Sequence, residues 1–414
     1  MARRNDQVAL GPNWDHLTIR PLGQPLAKLV LAAFSRTMDR DRQAMLSGPK
    51  PLRNHNVPAI TVVDAGDFSA RLLRDGLLGF GEAFITGSWR GGAGAGDLRG
   101  ETDAVVEWLT VYADALTSRE TARAMASKVG WRWRMPTTAN NSREDARQNI
   151  ARHYDLPVEF FRLFLDDDLT YSSADYRHAA TLEAAQAAKI EGILDLAEIS
   201  TGGRLLDIGC GWGALLSAAT QRGACAVGLT ISRKQFDHCS KRLADIGSAS
   251  VILEDYRDHR DAYDSIVSVE MLEAVGSKSW ATYFKQLDQL LKPGGTAVVQ
   301  TITFPDHRMK RSLGNYSWVD RYIFPGGELI SLEEIGRIVS RETSLELTAT
   351  VRLTASYATT LREWRHRFCD NLDSVRSQGF DAGFTRIWAL YLAYFEAAFR
   401  ARFLDVWQCQ LKRR

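Results

Sequence analysis

Three glycines at alternate positions indicate where this chain could bind a small molecule. They are Gly209, Gly211 and Gly213 in LLDIGCGWGALL (205–216), directly after an apolar run that ends in Asp207. Bare backbone lets a ligand approach closely, and a following helix offers its N-terminus. The dinucleotide fingerprint is G-x-G-x-x-G with an acid about 20 residues later, but here the next apolar run ends in GLTIS without an acid. The pattern predicts a nucleotide-like ligand other than a dinucleotide, with an unliganded turn as the alternative.

Such a turn must lie between a strand and a helix, and the chain from about 200 onward predicts these elements in alternation. The predicted strands are GRLLDIG, CAVGLTI, SVILEDY, YDSIVSVE and TAVVQTITF. The predicted helices are ALLSAATQRG, RKQFDHCSKRLADIG, SWATYFKQLDQLLKPGG and, closing the chain, FTRIWALYLAYFEAAFRARF. Short apolar strands alternating with helices are typical of an α/β protein whose parallel sheet is covered on both faces.

Length and composition limit the class of protein. The 414 residues are enough for two or three domains, which we place at 1–130 (mixed N-terminal domain), 131–145 (linker) and 146–414 (α/β domain). A net charge of +2 argues against a bulk nucleic-acid binder. Five cysteines without CxxC spacing predict neither a disulfide framework nor a metal site.

The apolar runs predict no membrane span. None approaches the ~20 apolar residues that a span requires, and the run at 26–34 contains Lys28 and lacks a signal-peptide cleavage site. We therefore expect a cytoplasmic protein that is at most peripheral to the membrane.

Longer motifs narrow the class further. D-x-G-x-G-x-G resembles the first motif of class I S-adenosylmethionine methyltransferases, and other runs resemble the cyclopropane-fatty-acid synthase family, which includes the mycolic acid cyclopropane synthases. These runs are HYDLPVEFFRLFLDDDLTYSSADY, TLEAAQAAKIEGIL, VGLTISRKQ, SVEMLEAVG, YFKQLDQLLKPGG, YIFPGGELIS, SYATTLREW and AFRARFLDVWQ. They cover about 145–414 in consistent order, and the resemblance is weaker before 130. It implies a Rossmann-like class I fold with helices on both faces of the sheet.

The resemblance also implies S-adenosylmethionine as cofactor and a set of residues that hold it. They are Tyr171 and Ser172 at the methionine moiety, Asp207, Gly209 and Gly211 along its backbone side, Thr230, Ile231 and Gln235 at the ribose, and Asp255 and Tyr256 beside the adenine. Two of these have a simpler alternative: Tyr256 as a core aromatic and Asp255 as a solvated turn acid.

The reaction that the resemblance implies is methyl transfer to an alkene. A sulfonium methyl is electrophilic but an isolated alkene is a poor nucleophile, so the enzyme must align the two in a dry pocket. Attack leaves a carbocation on the acyl chain, which aromatic faces can stabilise, and a base must then remove a proton. Loss of a proton from the new methyl closes a cyclopropane ring. If a hydride shift first moves the positive charge to the methyl-bearing carbon, loss of a proton next to that carbon, from the methyl group, gives an exocyclic methylene instead.

In the resembling family the base is a bicarbonate ion held by a cysteine, a glutamate, two histidines and a tyrosine. The matching positions are Ser173 for the cysteine, Glu273 for the glutamate, His153 and Gln300 for the histidines and Tyr357 for the tyrosine, with the backbone of Ile302 near the anion. Ser173 is a mild change because the cysteine contributes partly through its backbone. Gln300 removes a cation and offers only a neutral hydrogen bond, which argues against bicarbonate.

A protein carboxylate could make that ion unnecessary. Glu144, just ahead of HYDL, is our candidate, with a first-turn acid favoured by the helix dipole as the alternative. Glu270 at a predicted strand end is a second carboxylate near the cofactor edge, or a cap of the neighbouring turn. We assign His307 to a loop without a catalytic role.

The product is predicted from three runs: SVEMLEAVG, QTITFPDHRM and YIFPGGELIS. They resemble the branch of the family that makes 10-methylene fatty acids, precursors of 10-methyl-branched chains such as 10-methylstearate. We therefore predict methylenation of a cis double bond in a phospholipid acyl chain. Cyclopropane formation is the first alternative, and a cofactor-binding partner subunit without catalysis is the second.

The predicted product, the family resemblance and the basic and aromatic runs of the sequence each indicate possible partners. A methylene product calls for a flavin or nicotinamide reductase, because this chain has no second dinucleotide motif, and the resemblance implies a homodimer. Candidate lipid contacts are WRWR (131–134), RMKR (308–311) and the aromatic terminal helix, and the N-terminal domain is a candidate for lipid contact or dimerisation. The alternatives are solvated charge clusters and, for the helix, a core stripe.

Overall fold

The computed structural model describes residues 17–32, 60–92, 96–117, 156–313 and 317–414. Its strands are β1 (Ile60–Val62), β2 (Trp89–Gly91), β3 (Arg204–Ile208), β4 (Cys225–Thr230), β5 (Ala249–Leu253), β6 (Tyr263–Val269), β7 (Leu291–Thr303), β8 (Leu345–Arg352) and β9 (Asp405–Arg413). Its helices are α1 (24–32), α2 (Ala65–Ile85), α3 (Leu98–Thr117), α4 (Val158–Phe161), α5 (Leu182–Leu196), α6 (Ala214–Gln221), α7 (Arg233–Arg242), α8 (Trp280–Leu290), α9 (Asp306–Ser312), α10 (Trp318–Tyr322), α11 (Leu332–Glu342), α12 (Thr354–Asp370), α13 (Leu372–Ser377) and α14 (Ala382–Arg400). Short 3₁₀ turns follow β6 at Leu272–Ala274 and Ser277–Ser279.

Contacts divide the described residues into two compact units. The first contains the described residues before 118 together with 317–323 and 361–403. The second contains 156–313, 324–360 and 404–414. Residues 317–323 and 361–403 lie within the range 146–414 that the sequence assigned to the α/β domain, yet by their contacts they belong to the first unit.

The aromatic helix α14 provides much of the core of the first unit. Asp381 caps it by accepting a hydrogen bond from the backbone N–H of Phe384 (2.7 Å). The helix packs against α2 and α3, and Phe384, Trp388 and Tyr391 are buried. These rings form the core stripe that was the alternative prediction, so they are unavailable to a lipid surface. Among the described helices, none combines the length and the apolarity that crossing a membrane would take.

The second unit is built on a mixed sheet that, within the described residues, has seven strands in the order β5-β4-β3-β6-β7-β9-β8. The first five run parallel, as the alternation of strands and helices predicted. β9 is antiparallel to both β7 and β8. The sequence analysis missed β9 and ended the chain with a helix, because DVWQCQLKR interrupts its apolar residues with glutamines and carries no continuous apolar run.

Helices cover both faces of this sheet. On one face α5, α6 and α7 contribute buried residues to a core around Leu205 and Ala226. On the other face α8 and α11 pack over Leu206, Ile266 and Val299. Consecutive strand residues point to opposite faces, so neighbouring residues such as Leu205 and Leu206 enter different cores. This is the class I, Rossmann-like α/β fold that the sequence predicted, and it leaves the carboxyl ends of the parallel strands free to form a site.

Candidate active site

The glycine turn connects β3 to α6 at the carboxyl edge of the sheet. Gly209, Gly211 and Gly213 all have left-handed backbone, with φ of 80°, 54° and 88°, a conformation that costs other residues roughly 1–2 kcal/mol. A Cβ added at Gly209 would lie 2.9 Å from the Met271 side chain, whereas one at Gly211 would meet nothing within 4 Å. The strand, turn and helix predicted here are confirmed, and Gly211 borders open space.

That space is a cavity at the carboxyl ends of β3, β4 and β6. All the residues predicted to hold the cofactor line it: Tyr171, Ser172, Asp207, Gly209, Gly211, Thr230, Ile231, Gln235, Asp255 and Tyr256. The lining also includes Lys189, Trp212 and Glu270. A glycine-floored cavity with acids, hydroxyls and aromatic rings around it fits an adenosine joined to an amino acid.

Two side-chain pairs lie in the part of the cavity where the ribose and adenine contacts were predicted. Thr230 donates a hydrogen bond from Oγ1 to Oε1 of Gln235 (2.8 Å), and both residues are buried. Asp255 accepts hydrogen bonds from Nε (2.8 Å) and Nη2 (2.6 Å) of Arg257. Asp255 is 3% exposed, so the alternative of a solvated turn acid is wrong. The guanidinium of Arg257, which the sequence analysis missed, stands two residues along in EDYRD.

A buried lysine that the sequence did not predict lies beside Ser172, one of the residues predicted to contact the methionine moiety. Lys189 is 2% exposed and its Nζ donates a hydrogen bond to Oγ of Ser172 (2.9 Å). Burial lowers the pKa of Lys189 to about 8, although Glu270, Asp166 and Asp207 attract its charge. Burial raises the pKa of Asp207 to about 7, and Lys189 opposes that rise. The sequence pattern that could have indicated this lysine is its position three residues after Gln186, which places both on the buried face of α5.

Glu270 lies at the end of β6, where its carboxylate is surrounded by hydrogen-bond donors. Its φ is 51°, a conformation uncommon for residues other than glycine. The donors are the backbone N–H of Ser173 (2.8 Å) and Nε2 of Gln300 (2.8 Å), both to Oε1, and the Tyr357 hydroxyl to Oε2 (2.7 Å). Burial raises the pKa of Glu270, while these hydrogen bonds and Lys189 lower it. Thus Ser173, Gln300 and Tyr357, all predicted around the anion, contact Glu270.

Glu273 follows in the 3₁₀ turn after β6. Its Oε1 accepts hydrogen bonds from the backbone N–H of Ile302 (2.6 Å) and from Oγ1 of Thr301 (3.1 Å). Its Oε2 is buried without a hydrogen-bond partner among the described residues. Burial and the neighbouring charge of Glu270 raise the pKa of Glu273 to about 8. A proton on this carboxyl relieves the repulsion between the two glutamates.

Some predicted residues are not brought to this site. Glu144, His153 and WRWR (131–134) lie outside the described residues. His307 is exposed in the first turn of α9, a helix where the sequence predicted a loop. In the same helix, the basic run at 308–311 contributes Met309 to the core and pairs Lys310 with Asp306 (2.7 Å).

Solved structures of two cyclopropane synthases are similar to this chain. The mycolic acid cyclopropane synthase CmaA1, solved with SAH and CTAB, is 30% identical to this chain, with a TM-score of 0.60 over 64% of this chain and 98% of its own. The cyclopropane synthase MmaA2 of Mycobacterium tuberculosis gives the same identity, coverage and TM-score. Coclaurine N-methyltransferase, at 19% identity and a TM-score of 0.54, shares the fold. The chain is therefore an S-adenosylmethionine-dependent C-methyltransferase.

The family follows from the sequence comparisons. Residues 141–409 match the family model described as mycolic acid cyclopropane synthetase. Tuberculostearic acid methyltransferase UfaA1 of Mycobacterium tuberculosis is 39% identical over 367 residues, 86% of this chain and 83% of the relative. Cyclopropane-fatty-acyl-phospholipid synthase of Escherichia coli is 32% identical over 368 residues, 87% and 89% of the two chains. The chain belongs to the mycolic acid cyclopropane synthetase family, which confirms the predicted resemblance.

Proposed function

We propose that this enzyme methylates the cis double bond of an unsaturated acyl chain in a phospholipid and releases a 10-methylene-branched chain. The observation that carries the proposal is the buried carboxylate of Glu270, which lines the cofactor cavity and is bonded to Gln300 and Tyr357. Transfer to an alkene needs a base in a dry place beside the methyl donor. A cofactor-binding subunit without catalysis would have no use for such a carboxylate.

The cavity residues fit the cofactor end to end. When bound, S-adenosylmethionine supplies an electrophilic methyl group and leaves as a neutral thioether. We assign Asp207 and Lys189 to its amino-acid end, the Thr230–Gln235 pair to the ribose, and Asp255 to the adenine. Gly211 leaves room for the ligand because it carries no Cβ.

Aromatic side chains line the same cavity and suit a cationic intermediate on the acyl chain. Tyr171 and Trp212 are both part of the lining, and Phe161 lies 5.5 Å and 5.9 Å from their ring centroids. An aromatic face attracts a cation by about 0.5–2 kcal/mol, and more strongly where water is absent. We assign Tyr171 and Trp212 to stabilising the positive charge that forms when the alkene accepts the methyl group.

The methylene product is favoured over the cyclopropane by the relatives' names. At 39% identity UfaA1 is named a tuberculostearic acid methyltransferase, a name that specifies methyl transfer and no cyclopropane. The synthase named for a cyclopropane product is 32% identical and supports the alternative. Both products share the methyl transfer and differ in the final rearrangement. A separate reductase and a homodimer remain predictions.

The test is the product itself. The purified enzyme is incubated with S-adenosylmethionine and phospholipid vesicles that contain oleoyl chains, and the lipids are examined by mass spectrometry and proton NMR. We expect a mass gain of one CH₂ unit and vinylidene protons. Upfield ring protons would instead establish the cyclopropane. An unchanged lipid mass, with cofactor binding intact, would contradict the proposed methylenation of phospholipid acyl chains.

A further inference from the structure

The position of Glu270 has a consequence for the last step of the reaction. Among the residues predicted around an anion, Ser173, Gln300 and Tyr357 direct a donor at this carboxylate, and Ile302 directs its N–H at Glu273. The hydrogen bonds that would hold a free anion are thus made to protein carboxylates. Glu270 also lines the cofactor cavity, whereas Glu273 is not part of that lining.

We propose that Glu270 is the general base that removes the final proton, in place of a bound bicarbonate ion. This inference rests on the proposed methyl transfer to an alkene. A carboxylate held by the chain needs no anion from solution. A bicarbonate ion at the same donors would stand beside a buried negative charge, which is unfavourable where little water screens it.

The backbone supports a dedicated role for this residue. Glu270 has φ of 51°, and a non-glycine residue in this region costs of order 1 kcal/mol or more unless its surroundings fix it. The backbone N–H of Glu270 donates to the carbonyl oxygen of Gln300 (2.7 Å). Gln300 in strand β7 therefore bonds to both the backbone and the side chain of Glu270. Strain retained at a buried, cavity-lining acid points to function and not to a turn cap.

Gln300 is oriented to serve this carboxylate. Its Oε1 accepts a hydrogen bond from Nε2 of Gln408 (3.0 Å), which leaves its own Nε2 to donate to Glu270 and, more weakly, to the carbonyl oxygen of Ser173 (3.3 Å). The two glutamines are directly paired across β7 and β9. A neutral amide stabilises the carboxylate without holding it as tightly as a cation would, so the base can still accept a proton. Gln300 is therefore a positioning residue for Glu270.

The two glutamates then divide the charge. Burial and the charge of Glu270 raise the pKa of Glu273 to about 8, which favours a proton on Glu273. The three donors and Lys189 oppose the rise that burial causes in the pKa of Glu270, and so favour the negative charge there. In the step itself, a hydride shift first moves the positive charge to the methyl-bearing carbon. A C–H bond of the transferred methyl group then breaks, and its electron pair forms the second bond of the exocyclic C=CH₂. The proton passes to a carboxylate oxygen of Glu270 and leaves to solvent before the next turnover. Tyr357 and Lys189, which also face Glu270, exchange no atoms with the substrate.

The experiment compares the full-length enzyme with Glu270→Gln and Glu270→Gly in buffer freed of carbon dioxide. We expect the wild type to turn over at a rate that added bicarbonate changes by less than about twofold. Glu270→Gln should lose at least about 100-fold in kcat, the scale of general-base catalysis, with S-adenosylmethionine affinity by calorimetry unchanged. Glu270→Gly vacates the site, so bicarbonate or formate should restore its rate in a concentration-dependent way. The glutamine variant fills the site and should not respond.

The matched control is Glu198, an exposed glutamate that also has left-handed backbone, with φ of 52°. Glu198→Gly and Glu198→Gln make the same chemical changes away from the site and should leave turnover unaffected. Wild-type dependence on bicarbonate would overturn the proposal. So would a Glu270→Gln variant with near wild-type kcat, a Glu270→Gly variant that binds cofactor but responds to neither anion, or loss of turnover only in Glu144→Gln. A wild type that modifies no lipid would instead refute the proposed function.

Discussion

At the scale of single residues, the two buried glutamates are distinguished by their hydrogen bonds. Both lie in the same segment, but three donors among the described residues meet Glu270, while one oxygen of Glu273 meets none of them. Each missing hydrogen bond makes ionisation in a buried place more costly. The donors therefore determine which carboxyl keeps the charge, and Glu273 stores a proton beside the base.

This protonated glutamate predicts a pH dependence of stability. The folded protein keeps Glu273 protonated up to about pH 8, whereas an unfolded glutamate ionises near 4.5. Between these values the folded state binds more protons, so the free energy of unfolding falls as pH rises. We expect the wild type to lose on the order of 1–3 kcal/mol more than Glu273→Gln between about pH 5 and pH 8, measured by urea unfolding.

Two other buried groups, Asp207 and Lys189, also make the stability depend on pH. Asp207, whose pKa burial raises to about 7, contributes in the same direction in both proteins and cancels in the comparison. The lowered pKa of Lys189 acts above about pH 8 with the opposite sign, so the comparison stops there. Parallel pH profiles for the wild type and Glu273→Gln would show that Glu273 is ionised in the folded protein.

The glutamine pair predicts a graded loss of activity. Gln300→Ala removes a hydrogen bond to a charged group, worth about 1.5–3 kcal/mol, and should lower kcat about 10–100-fold. Gln408→Leu leaves Gln300 in place but unoriented and should have a smaller effect. Gln410→Leu is the control, because Gln410 lies two residues along β9 and donates to the carbonyl oxygen of Leu196 (2.7 Å). Steady-state kinetics should rank the three in that order, and equal losses in Gln408→Leu and Gln410→Leu would contradict the positioning role.

Sequence reasoning found the members of this cluster but not its centre. Ser173, Gln300 and Tyr357 were predicted around an anion, and Glu270 was noted only as an acid near the cofactor edge. The contacts join positions 97, 30 and 87 residues apart, so no local pattern could show them. What places Glu270 there is sheet register: Val269 at the end of β6 is paired with Gln300 in β7.

At the scale of elements, the strand–turn–helix at β3 and α6 was predictable because its signals are local: an apolar run, alternate glycines and a second apolar run. β9 was missed because it has no continuous apolar run, although its alternation of apolar and amide side chains is itself a local strand signal. Pairing with β7 and β8 places it inside the sheet. Its position matters for function, because β9 carries Gln408 to Gln300.

The turn predicts a separable effect on cofactor binding. Gly211→Ala places a methyl group at a left-handed residue that borders the cavity, so it should cost about 1–2 kcal/mol of stability and weaken S-adenosylmethionine binding about tenfold or more. Gly202→Ala is the control, because Gly202 also has left-handed backbone (φ 78°) and open space around it but does not line the cavity. Calorimetry should show weaker S-adenosylmethionine binding in Gly211→Ala than in Gly202→Ala. Similar affinities in the two variants would mean that Gly211 is needed only for the backbone conformation of the turn.

At the scale of the whole molecule, the first unit is assembled from segments that are distant in sequence. α14 follows more than 260 residues after α3, yet the two helices pack together. A buried ion pair joins Arg365 to Glu396 (3.0 Å), both 2% exposed, and Nη1 of Arg365 also donates to Oγ1 of Thr102 (3.0 Å). The linker predicted at 131–145 therefore does not separate an independent C-terminal piece.

Removing residues 1–130 tests this interdependence. The truncation would expose the face of α14 that packs on α2 and α3, including aromatic rings whose burial is worth about 1.5–3 kcal/mol each, and would leave Arg365 without Thr102. We expect the shortened chain to bind a dye for exposed apolar surface, to aggregate, and to lose its cooperative thermal transition. The truncation is informative because MmaA2 aligns over 98% of its own length with only 64% of this chain. A shortened chain that stays monomeric, with the wild-type melting temperature and cofactor affinity, would show that 361–403 are stable without the N-terminal helices.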